Sequence, residues 1–154
     1  MNDKKKLNSS KNRNYLKSFI ENCLKDRDYI SVPSNQIDAS RYLKQPIYAK
    51  HYYIGKSIYE KDLHCDFIVY NPTKYHDYIL IDSKWQQSSG TADEKYVYWL
   101  KNIKEFYPYT TIILLDGGGY CDGAEKWVKQ QIDDKLIKVY NMVEFQKWVN
   151  EGGL

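Results

Sequence analysis

The segment Thr110 to Leu115 (TTIILL) is a continuous apolar, β-rich run with helical patterns before and after it. A run of that kind suits a central strand buried on both faces, inside a sheet that helices cover. The remaining pattern has to be arranged around it. The 154-residue length is that of one domain with one substantial core. No internal repeat, low-complexity block or Pro/Gly/Ser-rich linker divides the chain. The expectation is a single domain over 10–154, preceded by a basic arm over 1–9.

Leu16, Phe19, Ile20, Cys23 and Leu24 recur at helical spacing and predict an amphipathic helix from about Ser10 to Lys25. Residues 29 to 46, with Pro33 and Pro46, read as irregular. A tyrosine-rich extended segment from Ile47 to Ile54 ends at a Gly55 break, and two further strands follow, His64 to Tyr70 and Asp77 to Trp85. The turn chemistry of Asn71-Pro72-Thr73-Lys74 joins the last two, and the three segments form an antiparallel meander. The period then changes. Thr91 to Glu94 is a capping box, and Tyr96, Trp99, Leu100, Ile103 and Phe106 mark one helical face up to Pro108. Asp122 to Glu125 is a second capping box before Trp127, Val128 and Ile132. Leu136 to Tyr140 is a short strand, and Asn141 to Glu144 caps a last helix with Phe145, Trp148 and Val149. The order α-β-β-β-α-β-α-β-α predicts a mixed α/β sandwich: a hairpin-built half of the sheet, then a crossover half.

Several classes are disfavoured early. No apolar run approaches the roughly 20 residues that span a bilayer. The basic, polar N-terminus does not read as a secretory signal. Cys23, Cys65 and Cys121 are scattered and unpaired in sequence, which suits buried thiols in a reducing cytoplasm better than a disulfide framework or zinc knuckle. The net charge of +3 is too mild to announce nucleic acid. Its distribution is more telling, because Lys4, Lys5, Lys6, Lys11, Arg13 and Lys17 face a single acid, Asp3, in the first 17 residues. Such an arm either neutralises phosphates or is a solvated tail, and both readings stay open.

Asp66 opens Asp-Phe-Ile-Val-Tyr, and Asp82 and Lys84 stand in Ile-Leu-Ile-Asp-Ser-Lys-Trp. Residues i and i+2 of a strand share a side, so Asp82 and Lys84 face one way while Ser83 points away and leaves its carbonyl at the same rim. With neighbouring strands paired, Asp66 approaches Asp82. Two carboxylates and a carbonyl make a hard oxygen site suited to Mg²⁺ with retained waters. A lysine beside it positions a water for attack on a phosphodiester. The bland alternative is an exposed acid-x-lysine pair, and Asp133-Asp134-Lys135 is another such triplet. Context separates the two: only the first lies on adjacent apolar strands with an acid on each and a capped helix behind.

Asp66…Asp82-x-Lys84 within this order of elements resembles the PD-(D/E)XK nucleases, which include type II restriction endonucleases. The second acid is Asp rather than the commoner Glu, and Cys65 stands where a proline often precedes the first. The likeness extends over residues 10 to about 140. It implies a restriction-endonuclease-like α/β fold and a catalytic set of Asp66, Asp82 and Lys84. The implied metal ligands are Asp66, Asp82 and the Ser83 carbonyl, holding Mg²⁺ with Mn²⁺ able to substitute. Lys84-Trp85-Gln86 through Gly90-Thr91 to Glu94-Lys95 also resembles members reading K-x-Q…GT-x-x-EK. In that likeness Gln86 touches the scissile phosphate or orders water; alternatively it is a polar rim residue. Many members add an acid from the first helix, a place Glu21 fits, although an ordinary solvated glutamate is the equal alternative.

The resemblance implies DNA as substrate, a cytoplasmic setting in a prokaryote or phage, and Lys4, Lys5, Lys6 and Lys11 as phosphate contacts. A chain this short reads and cuts a palindrome most economically as a homodimer. The rivals are a structure-specific nuclease or junction resolvase, a catalytic subunit with a partner for recognition, and a DNA-binding module on a degenerate nuclease fold. Gly117-Gly118-Gly119 lacks the lysine and hydroxyl of a P-loop and reads as a turn. His51, His64 and His76 have no metal-ligand spacing, though His64 lies two residues before Asp66. Tyr48, Tyr52, Tyr53 and Tyr59 either stack bases or pack the sheet.

Overall fold

The computed structural model describes residues 2–87 and 94–154, with the backbone alone at 2–9. The elements are α1 (Asn2–Asp26), β1 (Ile30–Ser31), α2 (Ile37–Ser40), β2 (Ile47–Lys56), β3 (Asp62–Tyr70), β4 (Ile79–Trp85), α3 (Glu94–Phe106), β5 (Thr110–Asp116), α4 (Asp122–Gln130), β6 (Leu136–Tyr140) and α5 (Met142–Asn150). Among the described residues the strands form one six-stranded sheet in the order β1-β2-β3-β4-β5-β6. β2, β3 and β4 are antiparallel neighbours, while β4, β5 and β6 are parallel. The expected meander and crossover halves are therefore both present. β5 pairs on both edges, and Thr111 to Leu115 are all buried, as a central strand requires.

Helices cover the two faces of the sheet. Leu16, Ile20, Cys23 and Leu24 of α1 pack with Phe145 and Val149 of α5 against Phe67, Val69, Ile79, Ile81, Ile112 and Leu114. On the other face Tyr96, Trp99, Leu100 and Ile103 of α3 and Val128 of α4 pack against Ile68, Leu80, Ile113 and Leu115. Leu80 and Ile81 alternate between the two cores, as adjacent strand residues must. Full burial of one such aliphatic side chain contributes roughly 1.5–3 kcal/mol, so the sheet is clamped from both sides.

Some local expectations are corrected. α1 begins at Asn2, well before the expected helix start near Ser10. Residues 29–46 contain β1, paired in parallel with β2, and the short helix α2. β2 continues through Gly55, whose φ of 145° accommodates a register shift instead of ending the strand. Cys121, not Asp122, is the N-cap of α4. Asn141 does cap α5, its side chain accepting from the Glu144 amide at 2.8 Å. The Thr91 capping box lies outside the described residues. Cys23 and Cys65 are buried thiols, but Cys121 is exposed.

Candidate active site

β3 and β4 pair at Val69↔Ile79, Ile68↔Leu80 and Phe67↔Ile81, and then they part. Asp66 and Asp82 are the next residues on the two strands, so both acids stand at the fork. On β3 the alternation of side chains breaks at the same point. Phe67 packs in the α1 core and Cys65 in the α3 core, although residues two apart on a regular strand share a face. On β2 the register runs Lys50↔Phe67 and then Tyr52↔Cys65, passing over His51 and Asp66. His51 has a φ of 53°, the left-handed region that residues other than glycine seldom take.

This kink brings Asp66 in from the α1 side, where Lys17 Nζ lies 3.2 Å from its Oδ1. Asp82 faces α3, and its Oδ2 accepts from Trp99 Nε1 at 2.9 Å and from the Tyr107 hydroxyl at 2.7 Å. The two carboxylates meet at one amide: Ser83 N–H donates to Asp66 Oδ2 at 2.9 Å and to Asp82 Oδ1 at 3.2 Å. Ser83 differs from expectation. Its hydroxyl holds Asp66 Oδ2 at 2.6 Å instead of turning from the site, because Asp66 arrives on the side to which Ser83 projects.

Burial is the largest cause raising the Asp66 carboxyl from its usual 3.8 to about 7, with the adjacent Asp82 charge next; Ser83 and Lys17 pull the other way. Burial, reinforced by Asp82, also pushes the Tyr107 phenol far up, so it stays a donor to the carboxylate. Two acids forced together and incompletely neutralised form a place where added positive charge is favourable. Among the described residues no three His, Cys, Asp or Glu side chains are grouped to hold a metal ion. The all-oxygen pair fits a hard divalent cation that keeps several waters.

Lys84 is on the α3 side, its Nζ 4.8 Å from the centre of the Trp99 ring. Trp99 thus touches both members of the Asp82-x-Lys84 pair, donating to one and presenting its π face to the other. Gln86 is also on that side but buried, not at a rim: Oε1 accepts from the Tyr96 hydroxyl and Nε2 lies 3.5 Å from the Gly119 carbonyl. The glycine turn explains this anchorage. Gly119 N–H donates to Gln86 O at 2.8 Å, and a Cβ at Gly117 would lie 2.3 Å from that same oxygen.

Glu21 lines a cleft with Lys17 and Asp66, and pairs with Lys25 at 2.9 Å and Lys50 at 3.1 Å instead of with the acids at the fork. Lys11 is exposed on α1; the side chains of Lys4, Lys5 and Lys6 lie outside the described residues. His64 stacks on His51, the ring centres 4.2 Å apart. Tyr48 is core, whereas Tyr53 and Tyr59 are exposed. The rival triplet is structural: Asp133 Oδ1 accepts from Lys135 N and Leu136 N at 2.9 and 2.8 Å, closing the turn into β6. Sequence reasoning missed Lys17, Trp99 and Tyr107 at the site. For the aromatic pair the one general signal is that a buried indole N–H or phenol needs an acceptor, and it does not say which acid, because Asp82 is 17 and 25 positions away.

A family model described as a PD-(D/E)XK nuclease superfamily domain matches residues 8–152. The chain belongs to that superfamily, whose members generally use divalent metal ions. It is a nuclease domain, on a mixed six-stranded sheet flanked by helices. Neither the curated proteins nor the solved structures yield a match. Among the described residues, no helix is long and apolar enough to cross a membrane.

Proposed function

We infer that this protein is a Mg²⁺-dependent DNA endonuclease that cuts both strands at specific sites, with Asp66, Asp82 and Lys84 as its catalytic residues. The observation that carries this reading is the convergence of Asp66 and Asp82 on the Ser83 amide at the fork of β3 and β4. Asp66 and Asp82 would hold the cation with the Ser83 carbonyl. Bound there, it would supply Lewis acidity to the phosphoryl group and polarise the attacking water. The protein's own part is to fix the acids. Trp99 and Tyr107 occupy Asp82 Oδ2 and leave Oδ1 toward Asp66, while Ser83 orients Asp66. Lys84 brings positive charge to the same side as Asp82, for the phosphorane-like transition state. Gln86, fastened to Tyr96 and Gly119, sets the path of the chain leaving β4. The exposed Lys11, with Lys4, Lys5 and Lys6 earlier on the same helix, supplies phosphate contacts. Cleaving both strands from one such site calls for a homodimer.

The test is incubation with supercoiled plasmid in Mg²⁺, against an EDTA control. Discrete linear bands are expected. Nicked circles alone would indicate a subunit that needs a partner, a smear would remove the site-specific assignment, and absence of cutting on plasmid and branched DNA would remove the activity.

A further inference from the structure

Beside Asp66, between α1 and β2, lies a cleft of about 270 Å³. Asn14, Lys17, Ser18 and Glu21 reach it from α1 at i, i+3, i+4 and i+7, which is one helical stripe, and Lys50 and His51 reach it from β2. Two features of its charge stand out. Lys17 is bound to Asp66 at 3.2 Å, yet its side chain is 46% exposed while that of Asp66 is 12% exposed. The lysine therefore holds a nearly buried acid while about half of its own side chain remains in solvent. In addition, Lys17, Lys25 and Lys50 offset the three carboxylates Glu21, Asp66 and Asp82, but Lys25 and Lys50 both sit on Glu21 and leave Lys17 alone with the two acids at the fork. A divalent cation at the two acids would neutralise both and leave the Lys17 charge in surplus there.

We propose that Lys17 occupies the cation position at Asp66 in the metal-free protein and, when a divalent cation takes the acids, is released to bind a backbone phosphate of nucleic acid in this cleft. The inference rests on the reading of Asp66 and Asp82 as the cation site. Its physical basis is competition. An ammonium and a divalent cation repel each other over one carboxylate oxygen, and a half-exposed, flexible side chain lets the ammonium leave. Once the acids are neutralised, Asn14, Ser18 and Lys17 present donors along one stripe next to the proposed chemistry. A phosphate is the anion a nuclease delivers there. Phosphate binding in the cleft is then conditional on the metal, so the metal-free protein does not grip its substrate at the cutting position.

The test compares wild type with Lys17→Met, which keeps the stem and removes the charge. Mn²⁺ affinity without DNA is read by electron paramagnetic resonance, and duplex DNA affinity is read in Ca²⁺ and in EDTA. The variant should bind Mn²⁺ about two- to fivefold more tightly, the scale of one exposed ion pair released. Its DNA binding in Ca²⁺ should weaken, with the salt slope reduced by about 0.9. In EDTA the two proteins should bind DNA equally, and Lys17→Arg should restore the Ca²⁺-dependent affinity. Unchanged Mn²⁺ affinity together with an equal loss of DNA affinity in Ca²⁺ and EDTA would overturn the exchange and leave an ordinary phosphate-contacting lysine. A separate outcome concerns the cation site itself: wild-type Mn²⁺ binding that persists in Asp82→Ala would overturn the site, and the exchange with it.

Discussion

Asp66→Asn should make the metal-free protein more stable, and the gain should grow with pH. The Asp66 carboxyl is raised from 3.8 to about 7, first by burial and then by Asp82. A carboxyl raised in the folded state binds its proton more tightly there than in the unfolded chain. Stability is then full below about pH 4, falls as pH rises toward 7, and stays low above it. At about 1.36 kcal/mol per pH unit, three units cap the loss at roughly 4 kcal/mol. With only 12% of the side chain exposed, solvent screening reduces this little, and the pull of Lys17 is already contained in the raised value; the amide that faces Lys17 in the variant gives back roughly 1 kcal/mol as an unpaired donor. Asparagine keeps the shape and can still accept from Ser83. The net gain near pH 8 is about 1–3 kcal/mol, and most of it should vanish near pH 5. That corresponds to roughly 2–4 °C of melting temperature per kcal/mol for a chain of this size. Thermal unfolding in EDTA at the two pH values measures it. A variant less stable than wild type by the same margin at both would refute the reasoning. Added Mg²⁺ should stabilise wild type above pH 7 and leave Asp66→Asn unmoved.

Tyr107→Phe removes one of the two donors on Asp82 Oδ2. It should cost about 1–3 kcal/mol in urea denaturation, the scale of a hydrogen bond to a buried charge, and weaken Mn²⁺ binding. Gly117→Ala puts a Cβ 2.3 Å from Gln86 O at a φ of 109°. It should destabilise by about 1–3 kcal/mol and lower activity through the displaced end of β4, as read from unfolding and plasmid cutting together. Asp133→Ala should cost about 0.5–2 kcal/mol of stability, like the loss of a helix cap, while the folded protein cuts at the wild-type rate.

Much of this architecture was legible because its signals are local. TTIILL announced the central strand, the period change after Trp85 announced the switch from meander to crossover, and the Leu16–Leu24 spacing announced the helix under β4. Asp82 and Lys84 on one side followed from strand geometry alone, and both contact Trp99. The course of Asp66 was not legible. It depends on a break in alternation opposite His51, which takes a positive φ without the glycine that normally marks one. Strict alternation also misdirected Ser83, whose hydroxyl serves the acid that arrives from the other side. Trp99 and Tyr107 were hidden for a different reason. Helical periodicity counts aromatic residues as apolar and says nothing of the N–H and O–H they carry. Lys17 was legible as a charge in a basic segment, but its partner is 49 positions away on a strand, a contact only the tertiary fold creates.

The central claim, that Asp66 and Asp82 form the cutting site, is tested most directly by the stabilised variant. Asp66→Asn should be folded, and more stable than wild type at neutral pH without metal. Its loss of activity could then not be blamed on unfolding. Supercoiled plasmid cleavage in Mg²⁺ should fall by at least about a hundredfold in Asp66→Asn relative to wild type, the scale of losing one charge-stabilising group at a reacting centre. A well-folded Asp66→Asn that cuts plasmid at the wild-type rate would contradict the account.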